Sequence, residues 1–156
     1  KCKLAVETFG FDACLDHRAY ASAEGLSEAL AAECPDGIDI YYENVGGKVL
    51  EAVLPNMNSF GRIPVCGMIA WYNSAETGLT APAIWRSVLT KFLSVNGFII
   101  FNHYDRYGDF LGEVAPRIAS GDIKYLEDIA EGLENAPQTF LSMMQGGNTG
   151  KQIVKL

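Results

Sequence analysis

Residues 36–47 of the chain read DGIDIYYENVGG, and they predict a strand of a buried sheet. Turn residues at 35–37 precede an apolar and aromatic run, and two glycines end it. A helix-length segment follows at 48–57 (KVLEAVLPNM), and further strand-like runs lie at 62–69 (RIPVCGMI) and 95–101 (VNGFIIF). Strands separated by helix-length segments form βαβ units, so this pattern predicts an α/β fold with a mostly parallel sheet.

The rest of the chain adds elements on both sides of this stretch. A turn at Gly121 separates the βαβ pattern from a closing strand-helix-strand segment. Helices are predicted at 1–10, 21–33, 82–93, 105–119 and 135–145, and strands at 12–16, 124–129 and 152–156.

Two features of these elements predict how they pack. Helical spacing of apolar residues predicts core-facing sides on two helices. Pro64 has no N–H to donate, which favours an edge or irregular position for its strand. The core-facing residues are Tyr107, Phe110, Leu111 and Val114 on one helix and Phe140, Leu141 and Met144 on the other.

Composition argues against several classes of protein. Twelve Lys and Arg against nineteen Asp and Glu give a net charge of −7, which argues against nucleic-acid binding. No apolar run approaches the roughly 18 residues of a membrane helix. The two histidines and four cysteines lack zinc-site spacing, so no metal site is predicted. We expect Cys2, Cys14, Cys34 and Cys66 to be reduced and mostly buried, as in a cytoplasmic protein.

Ligands of parallel α/β sheets bind at the carboxyl ends of the strands. That rule selects Asn44 beside Gly46-Gly47, where a missing Cβ would let a ligand approach the backbone. It also selects Cys66-Gly67 and Tyr72 after the next strand. The residues alone leave open that the two glycines form only a tight turn and that Tyr72 is only a surface aromatic. The chain has no G-x-G-x-x-G, P-loop or G-x-S-x-G motif to decide between these interpretations.

Six blocks, in order, give the chain a family resemblance. They are GFDACLDHR, DGIDIYYENVGG, GRIPVCGMIAWYN, GFIIF, EGLENAPQTF and GGNTGKQIVKL. Together they resemble the zinc-free, NADP-dependent alkenal/enone reductases of the medium-chain dehydrogenase/reductase superfamily, across essentially the whole chain. The resemblance implies a C-terminal portion, in which 1–121 is a partial Rossmann domain lacking its glycine-rich first βαβ unit. Residues 122–156 would belong to the catalytic domain.

The resemblance also implies an NADP(H) site, residue by residue. Lys1 matches a lysine that contacts the 2′-phosphate, and His17 stands where several relatives have a phosphate-contacting tyrosine. Tyr72 matches a tyrosine that orients or protonates substrate, so it is the predicted catalytic residue. The remaining cofactor-contacting positions are Asn44, Cys66, Gly67, Met68, Ile69, Ala70, Trp71, Phe98, Ile99, Ile100 and Asn148.

The implied reaction is reduction of the C=C bond of an α,β-unsaturated carbonyl compound, with hydride supplied by NADPH. The implied partners are a small enone or alkenal and a second copy of the chain, without zinc. Two alternatives stay open. One is an NADPH quinone reductase of the same superfamily, and the other is a folded fragment without activity.

Overall fold

The computed structural model describes residues 1–72 and 81–156, and it describes residues 81–83 by their main chain alone. The chain forms two compact units. One contains Leu15–Arg106, and the other contains Lys1–Cys14 together with Tyr107–Leu156.

The unit of residues 15–106 is built on a three-stranded parallel sheet in the order β1-β2-β3. Each strand is followed or preceded by a helix, as βαβ connections require. This arrangement confirms the predicted α/β class. The elements are α2 (Ala23–Glu33), β1 (Ile38–Ile40), α3 (Gly47–Val53), β2 (Met57–Val65), α4 (Ala81–Thr90) and β3 (Ser94–Gly97).

The core of this unit lies between the sheet and its helices. The apolar face predicted for residues 48–57 forms much of this core, because α3 and the 3₁₀ turn Leu54–Asn56 bury that face against β2. Helix α2 begins where the Ser22 hydroxyl accepts the N–H of Gly25, a standard N-cap. The clustered buried residues are Leu50, Val53, Leu54, Met57, Ile63 and Leu93.

Several strands differ from the predictions in bounds or position; β2, for example, runs over Met57–Val65 rather than 62–69. Pro64 lies in β2, the central strand, so the predicted edge position is wrong. Its carbonyl accepts the N–H of Glu43, so the residue's missing donor faces the same side, past the end of β1 at Ile40. Strand β3 ends at Gly97 because a 3₁₀ segment begins at Ile100. Residues 12–16 form no strand, because Asp16 instead caps the 3₁₀ turn His17–Ala19.

The second unit contains two parallel strands, β4 (Glu127–Glu131) and β5 (Lys151–Lys155), connected through helix α6 (Ala136–Met144). This strand-helix-strand order confirms the prediction for the closing segment. Helices α1 (Cys2–Glu7) and α5 (Tyr107–Ser120) complete the unit.

The predicted core faces of α5 and α6 are wrong for the described structure. Phe110, Leu111, Phe140, Leu141 and Met144 are all exposed. The expected burial of the cysteines is wrong as well. Cys14 and Cys66 are exposed and Cys2 and Cys34 are half-buried, since all four lie at element ends or in connections rather than inside strands.

The two compact units divide the chain at different places from the predicted domains. Helix α5 belongs with the C-terminal strands, whereas the sequence places residues 1–121 in one domain. The predicted domains rest on the family resemblance, whereas the two units are defined by how compactly the chain packs. The predicted domain assignment therefore stays a prediction. Among the described helices, none has the length and apolar character needed to cross a membrane.

Candidate functional site

Main-chain hydrogen bonds join the segment after β1 to the segment after β2. The Glu43 carbonyl accepts the N–H groups of Cys66 at 2.9 Å and Gly67 at 3.1 Å. Farther along, the Asn44 carbonyl accepts from Ile69 at 3.3 Å and the Val45 carbonyl from Ala70 at 2.9 Å. The two strand ends are therefore held side by side at the carboxyl edge of the sheet, where the sequence places a ligand site.

Gly67 lies between two polar side chains at this edge. A Cβ on Gly67 would come within 2.7 Å of Asn44 Oδ1 and 3.1 Å of the Tyr72 hydroxyl oxygen. The Met68 N–H donates to that hydroxyl oxygen at 3.2 Å, which leaves the hydroxyl hydrogen for another acceptor. We call Asn44, Gly67 and Tyr72 the Gly67 niche. The structure thus brings together three of the predicted site residues.

For Gly46 and Gly47, the structure does not support the alternative in which a ligand approaches the backbone. Both have positive φ angles, +77° and +52°, which glycine adopts without strain. A Cβ on Gly46 would lie 3.0–3.2 Å from the Trp71 ring, and one on Gly47 would lie 3.3 Å from the Ala70 methyl. The space that the missing Cβ atoms leave is therefore taken by the chain's own Ala70 and Trp71, not left open for a ligand.

Glu43 is a buried carboxylate beneath the niche, and the sequence analysis missed it. Its side chain is 4% exposed, and Oε1 accepts the N–H groups of Val45 at 2.6 Å and Gly46 at 2.8 Å. The signal that could have found it is an acid in an apolar and aromatic run, three residues before a glycine pair. Glu43 Oε2 and the Tyr41 hydroxyl are buried without a hydrogen-bond partner among the described residues. Burial and, secondarily, the charge of Glu43 raise the pKa of Tyr41.

A small aromatic group lies beside the niche on the β3 side. The Phe98 N–H donates to the Val65 carbonyl at 3.2 Å, and the Phe98 ring lies edge-on to Tyr42 at 6.1 Å. A hydrogen bond between Tyr42 and the Cys66 thiol raises the pKa of Tyr42. Phe98 and Cys66 are among the predicted site residues. Tyr42 is not, because the strand pattern gives no reason to distinguish it from the neighbouring Tyr41.

The other predicted residues lie apart from the niche or in the second unit. Ile99 and Ile100 follow β3 and are exposed, and His17 is exposed in its 3₁₀ turn. Lys1 and Asn148 both belong to the second unit. There Lys1 Nζ donates to the Gly146 carbonyl at 2.7 Å, and the Asn148 amide donates to the Gly150 carbonyl at 2.8 Å. Their predicted shared role stays a prediction.

An apolar cavity of about 170 Å³ lies inside the first unit. Its walls come from the sheet, from α3 and α4, and from the loop that carries the niche. Among the lining residues that the structure describes, the single charged one is Glu43. The apolar lining residues are Leu50, Leu54, Ile63, Val65, Met68, Trp71, Ile84, Val88 and Val95.

Comparison with known proteins gives consistent matches over this whole architecture. A family model described as zinc-binding dehydrogenase matches residues 9–154. Despite that description, residues 1–72 and 81–156 hold no group of three or more His, Cys, Asp or Glu side chains that could bind a metal ion.

Three relatives illustrate the match. The NADPH-dependent curcumin reductase of Escherichia coli K12 is 46% identical over 100% of this chain, and the NADP(+)-dependent 2-alkenal reductase of Nicotiana tabacum is 44% identical over 99%. The crystal structure of CurA from Vibrio vulnificus in complex with NADPH is 42% identical over 99% of the chain, with a TM-score of 0.88. The chain spans 45%, 43% and 46% of these proteins, respectively. The predicted resemblance to the enone reductase branch is thus confirmed.

Proposed function

The chain belongs to the zinc-binding dehydrogenase family, and on that premise we propose that it is part of an NADPH-dependent reductase of C=C bonds in α,β-unsaturated carbonyl compounds. The observation that carries the proposal is the Gly67 niche, in which an amide and a phenol flank a residue without a side chain. The names of the relatives, which include NADPH-dependent reductases of curcumin and of 2-alkenals, support the same chemistry.

The niche brings two polar side chains together where a ligand of a parallel α/β sheet would bind. A Cβ at position 67 would come within 2.7 Å of Asn44 Oδ1 and 3.1 Å of the Tyr72 hydroxyl oxygen, so only glycine lets these two groups converge here. When bound there, NADPH supplies the hydride. Residues Cys66 to Tyr72 and Phe98 would line its nicotinamide side, with Asn44 beside it. Lys1, His17, Asn148, Ile99 and Ile100 complete the proposed cofactor set.

Tyr72 is the proposed catalytic residue. Because its oxygen accepts from the Met68 N–H, its hydrogen points away from that bond and can be donated to a carbonyl oxygen of the substrate. Such a hydrogen bond stabilises negative charge that develops on the oxygen as the double bond is reduced. Asn44 would lie on the cofactor side of the niche and keep the substrate aligned with Tyr72.

The test is turnover and cofactor binding in the longest natural form of the protein. We expect NADPH to bind more tightly than NADH in a fluorescence titration, and a small enone to accelerate NADPH oxidation. Tyr72→Phe should lower kcat while leaving NADPH affinity nearly unchanged. Tyr104→Phe is the matched control, because Tyr104 is an exposed tyrosine whose ring contact with Phe101 survives the change. Equal kcat in the Tyr72 variant and the wild type would remove Tyr72 from the chemistry.

The proposal includes a homodimer in the cytoplasm, formed by pairing the outer edges of two β3 strands. All four residues of β3 are exposed, and an unpaired edge is a template for another strand. The Phe98 N–H faces β2, so by alternation the N–H of Gly97 faces outward. Gly97→Pro should therefore convert a dimer to a monomer in light scattering, and an unchanged mass would exclude this edge as the interface.

A further inference from the structure

Glu43 is the single buried charged side chain among the described residues. We propose that Glu43 is the positioning residue that holds the two sides of the Gly67 niche in register. This role rests on the proposed reductase function, and it concerns a residue outside the predicted site. Its carboxylate acts through Val45, Gly46 and the main chain, and touches neither cofactor nor substrate.

The side chain fixes one side of the niche. Oε1 accepts two successive N–H groups, of Val45 and Gly46, at 2.6 and 2.8 Å. Short hydrogen bonds to a carboxylate are among the stronger ones in proteins. Because these two amides follow Asn44 directly, holding them sets the direction in which the Asn44 side chain leaves the backbone toward Gly67.

The main chain of the same residue fixes the other side. Its N–H donates to the Pro64 carbonyl at 2.9 Å, and its carbonyl accepts from both Cys66 and Gly67. A shift of residue 43 would therefore move Asn44 and the Gly67–Tyr72 segment relative to each other. A misplacement of about 1 Å between groups that act on a reaction costs on the order of 100-fold in rate.

Burial supports a positioning role over a merely structural one. Apart from Glu43, the cavity is lined by apolar side chains, and a buried carboxylate carries a large desolvation cost. Apolar replacements of buried charges are often as stable as the original, so packing alone gives no reason for a carboxylate here. Two acceptor bonds to the loop do give a reason.

Two conservative variants separate the effect of side-chain length from the effect of charge. Glu43→Gln keeps the side-chain length and the Oε1 acceptor but removes the charge. Glu43→Asp keeps the charge but shortens the side chain by one methylene, so the acceptor falls short of Val45 and Gly46. We expect Glu43→Gln to retain kcat and Glu43→Asp to lose on the order of 100-fold in kcat, with NADPH affinity little changed in both. Leu26→Ala, a buried change in α2 away from the niche, controls for lost stability and should keep kcat.

A second readout separates this inference from the proposed function. In amide hydrogen exchange, Val45 and Gly46 should stay protected in Glu43→Gln and exchange faster in Glu43→Asp. If the wild type reduces no enone, the proposed function fails, and the exchange result alone decides whether Glu43 positions the loop. Unchanged protection in Glu43→Asp, equal loss of kcat in both variants, or an equal loss in Leu26→Ala would each overturn the proposal.

Discussion

The two compact units differ in what they do with their apolar residues. In the unit of residues 15–106, Leu54 and Ile63 are 4% and 3% exposed within one cluster. In the second unit, Phe110 and Leu141 are 52% and 54% exposed, and none of its described residues is buried. Both units have helices with a clear apolar side, so amphipathic sequence alone does not produce a core.

The difference shows where the candidate site obtains its rigidity. The Gly67 niche lies at the edge of the sheet that carries the buried cluster, and its loops are tied to that sheet by main-chain hydrogen bonds. Lys1, the N-cap of α1, and Asn148, a half-buried residue between α6 and β5, instead lie in the unit without buried residues. We therefore expect substitutions in the first unit to affect stability and the site strongly, and those in the second unit to affect them weakly.

The largest contrast should come from leucine truncation. Leu54→Ala removes a buried side chain from the clustered core and should lower the free energy of unfolding by about 2–5 kcal/mol. Leu141→Ala removes a half-exposed side chain and should cost less than about 1 kcal/mol. Chemical denaturation followed by fluorescence measures both. Equal losses would mean that Leu141 is buried in solution and that the units are alike.

Glycine substitutions sharpen the contrast for function. Gly67→Ala places a methyl against Asn44 Oδ1 and the Tyr72 hydroxyl, two mobile side-chain ends that can give way at small cost in stability. Moving them should disrupt the niche, so enone turnover should fall by on the order of 10- to 100-fold.

Gly112→Ala is the control in the second unit. Its Cβ would meet nothing within 4 Å, and it lies inside α5. Turnover should stay unchanged, and the free energy of unfolding should rise by roughly 0.5–1 kcal/mol, because alanine favours a helix over glycine. Unchanged turnover in Gly67→Ala would show that the placement of Asn44 and Tyr72 around position 67 does not matter for turnover.

The pH response should also divide the molecule. Burial and the neighbouring Glu43 raise the pKa of Tyr41 above its ordinary 10.0. A raised folded-state pKa means that the unfolded chain releases this proton first. Above pH 10 the unfolded state is therefore favoured, and stability falls as pH rises further. Below pH 10, Tyr41 does not make the free energy of unfolding depend on pH.

A spectrophotometric tyrosine titration measures this effect. Tyr41 should ionise last, together with unfolding, whereas Tyr107 and Tyr125 in the second unit are exposed. Tyr41→Phe should remove the late phase and leave the early one unchanged. A late phase that persists in the variant would contradict the assignment.

The smallest effect should come from an exposed ion pair of the second unit. Lys155 and Glu131 lie 3.5 Å apart at the ends of β5 and β4, with both side chains largely exposed. Such pairs contribute about 0–1 kcal/mol, less at high salt. Glu131→Gln should thus barely move the melting temperature. A loss comparable to that of Leu54→Ala would show that this carboxylate is buried like Glu43.

The sequence predicted the elements better than their surroundings. The βαβ order, the bounds of α2 and the closing strand-helix-strand follow from local apolar period and capping, so they are correct. Whether Phe110 or Leu141 packs against another element depends on the tertiary structure, which apolar periodicity does not predict. Pro64 is tolerated in the central strand because its missing donor faces the chain past the end of β1 at Ile40, which no local pattern reveals.

For the site, strand-end reasoning found Asn44, Gly67 and Tyr72, because topology alone brings strand ends together. It missed Glu43, whose partners are amides of its own loop and carry no side-chain signature. It left two interpretations of Gly46 and Gly47 open, because which neighbour fills the space of a missing Cβ depends on where Trp71 packs.

The apolar cavity gives the first unit a response to hydrostatic pressure. Unfolding eliminates internal void, and the resulting decrease in volume scales with the size of that void. About 170 Å³ of apolar space, partly open to solvent, lies between the sheet and Met68 and Trp71, so compression favours states in which water fills it. The loop that carries the Gly67 niche should therefore be the part of the sheet edge that loosens first under pressure, ahead of the strands themselves.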